Sequence, residues 1–346
     1  MIMKYPKDLG YYFPAEWTKH ESTWLSYPHN KNSWPNKIEK IFPYYNKFIY
    51  ELSKVEKVNI NVLDDNMLAK VESELTALNA NMSNIIFHKF VNNDAWIRDH
   101  GPAFVVNNEN KKAVVNWKYN AWGNKYEYDK DNEIPKLIAE YLKLERFDAD
   151  IVMEGGSVEF NGLGDVITTK SCLLNENRNP EFSQDEIEKR LINYYGVENI
   201  LWLEEGIQGD DTNGHIDDLT RFVNPDTIIT MVSEDKASED YLILKKNLDI
   251  LKTIRLNDGK QPTIVEVLLP QDVIYDGEKL PASYANFYIA NDIVVVPVYN
   301  CKNDDRALRI LQDCFSDRQI IPIDSTDIVW GLGSFHCLSQ QEPKID

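Results

Sequence analysis

Short β-branched runs alternate with amphipathic stretches along most of this chain, and that alternation constrains its fold more than any other feature. The runs "KVNINVL" (57–63), "NIIFHKF" (84–90), "KAVVNW" (112–117), "NILWL" (199–203), "DTIITMV" (226–232), "TIVEVLL" (263–269) and "DIVVVPV" (292–298) have the length and composition of strands. Between them, "SQDEIEKRLINYYG" (183–196) reads as a helix, with Ser183 and Glu186 as a capping box and Gly196 as a stop. "DDNMLAKVESELTALN", "SEDYLILKKNLDILK" and "DDRALRILQDCF" carry similar amphipathic spacing. The fold class is therefore α/β. No low-complexity or Pro/Ser-rich break divides the chain, so one domain over residues 1–346 is expected.

Charge narrows the partners. A formal net charge of −19 opposes non-specific nucleic-acid binding and favours the approach of cationic ligands. The four cysteines, Cys172, Cys301, Cys314 and Cys337, show no C-x-x-C spacing, and the first residues lack an apolar signal-peptide core. No stretch approaches the roughly 18 apolar residues of a membrane span. These features predict a soluble protein in a reducing, cytoplasmic compartment. They leave open an assembly of identical chains.

Five polar islands interrupt the strand and helix background: "NNDAWIRDHGP" (92–102), "MEGGSVEFNG" (153–162), "DDTNGHIDD" (210–218), "PASYANFYIAN" (281–291) and "GSFHCLSQQEP" (333–343). Markers within them (Asp99, Glu154, His215, Ser283, Cys337) recur at intervals of about 54 to 68 residues, the signature of a repeated unit ending in a polar loop. Loops at strand ends are where catalytic groups concentrate. Cys337 is the candidate nucleophile: Gly331 and Gly333 allow a sharp turn after the apolar, strand-like run "IVWGL" (328–332), and His336 adjoins it. His215 is the candidate proton carrier, because residues two apart in an extended segment project together and Asp217 follows at that spacing. His20, His29, His88, His100 and His336 compete with it. Asp94, Asp99, Glu154, Asp217 and Asp218 supply carboxylates, and Trp96, with Trp117 or Trp122, could wall a cation site.

Taken together, "FPAEWTKHESTWLSYP", "NNDAWIRDHGP", "EGGSVEFNG", "CLLNENRNP", "TNGHIDD", "PASYANFYIAN" and "GSFHCLSQQEP" resemble the agmatine deiminase family of the guanidine-modifying penteins, in order from about Phe13 to Pro343. The resemblance implies a five-bladed α/β propeller of five ββαβ-type units around a pseudo-fivefold axis. It also implies hydrolysis of agmatine to N-carbamoylputrescine and ammonia without metal or organic cofactor, in polyamine synthesis or agmatine breakdown. Carried over, the nucleophile falls on Cys337 and the general acid/base on His215. The guanidinium-binding carboxylates fall on Asp99 and Asp217, the acid that holds the histidine on Glu154, and further pocket positions on Trp96 and Asp94. One departure is "VPVYNCKNDDRAL", where Asn300 and Cys301 stand in place of the relatives' Gly-Asp-type turn.

A guanidinium, ionised below a pKa of about 12, enters as a cation that two carboxylates can grip through its N–H groups. Three rival readings remain at this level. A deiminase of arginine or peptidyl-arginine would need a cation for the arginine carboxylate, and Arg98, Arg178 and Arg221 sit in or near the motifs. A thiol amidase or protease would need only one carboxylate beside its cysteine and histidine. A non-enzymatic binder would use Cys337, His215 and Asp217 as metal ligands, without the close spacing that such sites favour.

Overall fold

A computed structural model describes residues 4–345; Met1–Met3 and Asp346, the ends of the expected single domain, lie outside the described residues. Five sheets of three or four strands, plus one two-stranded hairpin, make up its β structure. Four of the five repeat one plan. An antiparallel pair is followed by a helix that crosses to a third strand lying parallel to the second.

In chain order these sheets comprise Ala103–Val106, Lys112–Lys118 and Glu145–Val152; then Val158–Phe160, Asp165–Thr169 and Asn199–Leu203. The next two comprise Thr220–Asn224, Thr227–Val232 and Thr263–Leu268; then Tyr288–Ile289, Ile293–Val298 and Gln319–Asp324. The crossover helices are Ile134–Leu142, Gln184–Tyr195, Glu239–Leu251 and Asp304–Cys314. In the fifth sheet the opening strand comes from the far end of the chain: Ser339–Pro343 pairs antiparallel with His20–Ser26, which then pairs parallel with Lys57–Asn61, and that in turn with Ile85–His88.

The local reasons are those the sequence advertises. Ser183 and Glu186 close a capping box on Gln184–Tyr195, and Gly196 ends it at φ +68°, a left-handed conformation that glycine adopts without a Cβ penalty. Asp64 accepts a bond from the Met67 amide to start Asp65–Ala77. The middle strand of each sheet is covered on both faces, which is why "IVVVPV" reads as a continuous apolar run: Val294, Val295 and Val296 are fully buried. Burying each such side chain is worth about 1.5–3 kcal/mol.

Two expectations are corrected. Ile328–Gly331 is a short 3-10 helix rather than a strand, and the left-handed residue that turns the chain toward Cys337 is Leu332, at φ +71°. Gly331 and Gly333 serve a different purpose. A Cβ on Gly331 would lie 2.6 Å from the Trp34 indole, and one on Gly333 would lie 2.7 Å from Trp96 and 3.1 Å from the Cys337 Cβ. They are small so that the loop can lie close against Trp34 and Trp96. Among the described residues, no helix is long and apolar enough to cross a membrane.

Candidate active site

The polar islands occupy one recurring place in the fold: the few residues that precede the first strand of each sheet. Asp99 precedes Ala103–Val106, Glu154 precedes Val158–Phe160, Asp217 precedes Thr220–Asn224, Asn286 precedes Tyr288–Ile289 and Cys337 precedes Ser339–Pro343. These five segments meet. The Arg98 amide bonds the Cys337 carbonyl at 3.1 Å, and the Gly156 amide donates to Asp99 Oδ1 at 2.9 Å. A Cβ added to Gly156 would lie 2.7 Å from His215 Nδ1, 2.8 Å from Asp99 Oδ1 and 3.0 Å from Asp217 Oδ2. Three candidate side chains therefore point at one spot that only glycine leaves open.

His215 and Asp217 reach that spot by a route other than the expected extended one. Ile216–Asp218 is a turn of 3-10 helix with His215 as its N-cap. His215 is buried, with Nδ1 3.6 Å from Asp99 Oδ1 and Nε2 3.6 Å from Glu154 Oε2. Neither ring nitrogen has a hydrogen-bond partner among the described residues. Burial opposes its charge, but Asp99 and Glu154 overcome this and hold its pKa well above the ordinary histidine value. Glu154 is fixed in turn by Arg178, whose Nε donates at 2.7 Å and, against the cost of burial, keeps the carboxylate low. Arg178 continues to Asn213 Oδ1 at 2.6 Å and the Thr212 carbonyl at 2.8 Å, both in the loop that carries His215.

Cys337 Sγ receives the Asn286 amide at 3.0 Å and lies 3.4 Å from Asp217 Oδ2. Burial and the carboxylates of Asp217, Asp218 and Asp99 push its thiol well above the usual cysteine range; the Asn286 bond pulls weakly the other way. Asp217 Oδ2 also meets His336 Nδ1 at 2.7 Å, and His336 Nε2 meets Glu16 Oε2 at 2.8 Å. Two contacts of that length to carboxylates need a proton each, so this bridge holds two protons, although burial and the nearby Arg221 and Arg98 lower the imidazole's own pKa. His336 is therefore committed to Asp217 and is no longer a rival to His215. Against burial, its bond keeps Asp217 ionised, and Asp217 Oδ1 is buried with no partner among the described residues.

Asp99 differs. Its Oδ1 is held by Gly156 and its Oδ2 by the Trp122 indole at 2.9 Å, yet burial lifts its pKa to about 6. Trp122 stands on a strained turn: Ala121, Trp122, Gly123 and Asn124 have φ of +48°, +55°, +98° and +61°. Left-handed helical backbone costs an L-residue roughly 1–2 kcal/mol. The turn is clamped by Asn120, whose side chain accepts from the Gly123 amide at 3.0 Å and donates to the Asn177 carbonyl at 3.0 Å. The other candidate wall, Trp117, instead packs on Tyr194 and Tyr195 in a separate core cluster.

A cavity of about 300 Å³ opens above Cys337, walled by Trp96, Trp122 and Asp99. Trp96 is stacked on Trp34, ring centres 5.1 Å apart. Asp94 lines it further out, held by Ser33, by Asn30 at 3.0 Å and by the Ala95 amide at 2.7 Å; burial raises it to about 6. At the rim, Asp211 is bonded to Lys125 and Tyr126, while Asp276 and Glu278 project from the hairpin Ile274–Lys279. Among the described residues, the lining holds five carboxylates and no Lys or Arg. Arg98 bonds Gln341 at 2.7 Å and Arg221 is fully buried between Glu159 and Glu16. All three motif arginines thus serve the scaffold.

The Porphyromonas-type peptidyl-arginine deiminase family matches residues 12–343. This chain belongs to that family. A protein of Legionella pneumophila provisionally named agmatine deiminase is 37% identical over 343 residues, covering 98% of this chain and 97% of that one. The structure of the agmatine deiminase of Enterococcus faecalis, described as catalysing its reaction, superposes with a TM-score of 0.94 at 31% identity, covering 99% of each chain. A cysteine-to-serine variant of the C. jejuni agmatine deiminase with substrate bound gives 0.88 at 34% identity and 97% of each chain.

Within this deiminase family, three features of the chain escape sequence reading. Asn286, inside "PASYANFYIAN", is the residue of that island that touches Cys337, whereas Ser283 bonds the Asp218 carbonyl. Glu16, inside the amino-terminal motif, anchors His336 and Arg221. Cys172 lies behind the site with Sγ 3.8 Å from Glu154. Glu154, Cys172 and His215 offer three donors within 4.8 Å, but the Arg178 guanidinium against Glu154 opposes an added cation there. The Asn300 departure is local: Asn300 takes φ +54°, where a glycine would sit freely, and bonds Asp324 at 2.7 Å away from the cavity lining.

Proposed function

We propose that this chain is an agmatine deiminase, hydrolysing agmatine to N-carbamoylputrescine and ammonia in polyamine synthesis or agmatine breakdown. The observation that carries this reading is a buried cysteine beneath a cavity lined by five carboxylates and no basic residue among those described. Agmatine is a guanidinium with a second, aminergic cation and no carboxylate. It complements that lining at both ends. Arginine and peptidyl-arginine, the second reading, carry an acidic or neutral group where the rim is negative. The same proposal takes the five sheets as five blades around a pseudo-fivefold axis and the chain as one catalytic domain.

In this mechanism Asp99 and the unpartnered Oδ1 of Asp217 grip the guanidinium N–H groups and hold the central carbon beside Cys337. The Cys337 thiolate adds to that carbon. His215, already protonated, gives its proton to the departing ammonia; the neutral His215 then takes one proton from the water that attacks the cationic amidino-thioether carbon, and the C–S bond breaks to return the thiolate as the second water proton leaves to solvent. Asp94 and Trp96 shape the approach. Because Cys337 is a thiol in the unliganded site, the incoming cation assists its ionisation, and the thiol proton leaves to solvent before the sulfur adds.

The test is turnover of agmatine, arginine and an arginyl peptide by the purified protein, read as ammonia and as ureido product. Preferential release from agmatine is expected, and preference for arginine would overturn the substrate assignment.

A further inference from the structure

The left-handed turn at Ala121–Asn124 calls for a reason, because three of its four residues are not glycine. Such outliers survive where the surroundings over-determine them, and they cluster where geometry matters for function. What this turn delivers is one hydrogen bond into the site: Trp122 Nε1 to Asp99 Oδ2, from a ring that also walls the cavity above Cys337. We propose that Trp122 is a positioning residue for the reaction, its indole N–H fixing the plane of the Asp99 carboxylate that receives the guanidinium.

Three observations support this beyond the bond itself. First, Asp99 is held at both oxygens, by Gly156 at one and Trp122 at the other, so its plane is set while each oxygen keeps a free lone pair for substrate. Second, the turn is wired to the acid/base group. A Cβ on Gly123 would lie 2.4 Å from Asn177 Nδ2; Asn177 bonds Asn213 at 3.1 Å, and Asn213 accepts from the Arg178 that holds Glu154. The carboxylate and the histidine are thus registered to one another through the back of the turn. Third, Tyr119 and Tyr126 pack edge-on against the Trp122 ring at 5.6 and 5.7 Å, which fixes where its N–H points.

The groups facing Asp99 are His215 and Asp217 from one loop, Glu154 from the second, Cys337 from the third, and Tyr119 and Arg178 behind. Among these, His215 favours the ionised carboxylate and Asp217 and Glu154 oppose it, so the indole bond is a neutral contribution on the favourable side. The assignment rests on the deiminase reading. Trp122→Phe keeps the ring and removes the N–H. We expect kcat/KM for agmatine to fall about 10- to 100-fold and the acid limb of its pH profile to move upward, because an Asp99 that loses a donor ionises at higher pH.

Asn120→Ala, which only loosens the turn, should shift the same limb by a smaller amount; it keeps the test open if Trp122→Phe does not fold. A merely structural tryptophan would lower the melting temperature and leave the limb in place, and that result in both variants overturns the assignment. Wild-type protein run alongside separates the two readings. No ammonia from any guanidinium compound sinks the deiminase function and this role with it, whereas normal wild-type turnover with an unmoved acid limb sinks the role of Trp122 alone.

Discussion

Gly156→Ala adds a single methyl group to a position whose backbone any L-residue adopts, so its effect is almost purely the loss of space. The added carbon would sit 2.7 Å from His215 Nδ1, 2.8 Å from Asp99 Oδ1 and 3.0 Å from Asp217 Oδ2. Ordinary contacts of this type are about 3.4 Å or longer, so relief requires shifts of roughly 0.5 Å in the side chains proposed to hold the guanidinium and to carry the proton. The Gly156 amide bond to Asp99 survives, and overpacking of this size costs about 1–3 kcal/mol of stability, so the protein still folds. Because misplacement of about 1 Å can cost 10²-fold, we expect kcat for agmatine to drop about 100-fold, or about 2.7 kcal/mol of barrier. Coupled ammonia release measures it, with thermal melting as the control. Less than a threefold loss in a folded variant would refute the claim that His215, Asp99 and Asp217 converge on the space above Gly156.

Three further outcomes can be checked. The pH dependence of Cys337 alkylation should show a high thiol pKa in the free protein and a lower one with an unreactive guanidinium ligand that leaves the sulfur exposed; an identical low value in both states would rule out activation by the substrate. Asp131, buried beside His100, is pushed up to about 7 by burial, so the stability it contributes is present below about pH 4 and lost as pH rises through 7. Asp131→Asn keeps an acceptor for the Asn93 and Asp94 amides and should stabilise by about 2–4 kcal/mol at pH 8 and by at most half of that at pH 5; urea midpoints giving the same gain at both would contradict this. Glu278→Gln, on a rim carboxylate without a hydrogen-bonded partner among the described residues, should lower kcat/KM for agmatine two- to fivefold at low salt while sparing n-butylguanidine, and equal effects on both would count against an amine-facing rim.

The α/β class and the five site-bearing islands are legible in the sequence because each depends on short-range chemistry: β-branched runs, a capping box, glycine beside acid. What is not legible depends on partners far along the chain. "SQQEP" has no strand character, yet Ser339–Pro343 is a fully buried strand. Two of its polar side chains are satisfied by residues from other elements, Gln341 by Arg98, and Glu342 by Ser22, Trp24 and Lys112. The helix Ile38–Ser53 is masked by Pro43 in its interior. Asn286 and Glu16 are equally unreadable as site residues, since nothing in their neighbourhoods distinguishes an amide that touches a sulfur from one that fills a turn. His215 and Asp217 are found for a reason the structure replaces: both face the site, but from a helical turn and not from a strand.

The buried acids account for why a neutral amide is a poor fit to this site. Glu154 is matched by Arg178, and Glu16 by Arg221 and the His336 bridge. Among the described residues Asp217 is matched on Oδ2 alone, and its Oδ1 has neither donor nor water-facing surface. Asp99 has only neutral donors and a histidine at 3.6 Å, and burial has raised it to about 6. The unliganded site therefore holds one carboxylate oxygen without a donor among the described residues, Asp217 Oδ1, beside an Asp99 whose ionisation burial opposes, a state that costs free energy in a low-dielectric interior. A planar cation with several N–H groups relieves both at once and lowers the thiol pKa in the same event, whereas a neutral amide supplies donors but no charge and leaves Cys337 protonated. The selectivity for guanidinium over amide thus follows from the one Asp217 oxygen that the scaffold leaves without a partner and from an Asp99 that burial holds against ionisation.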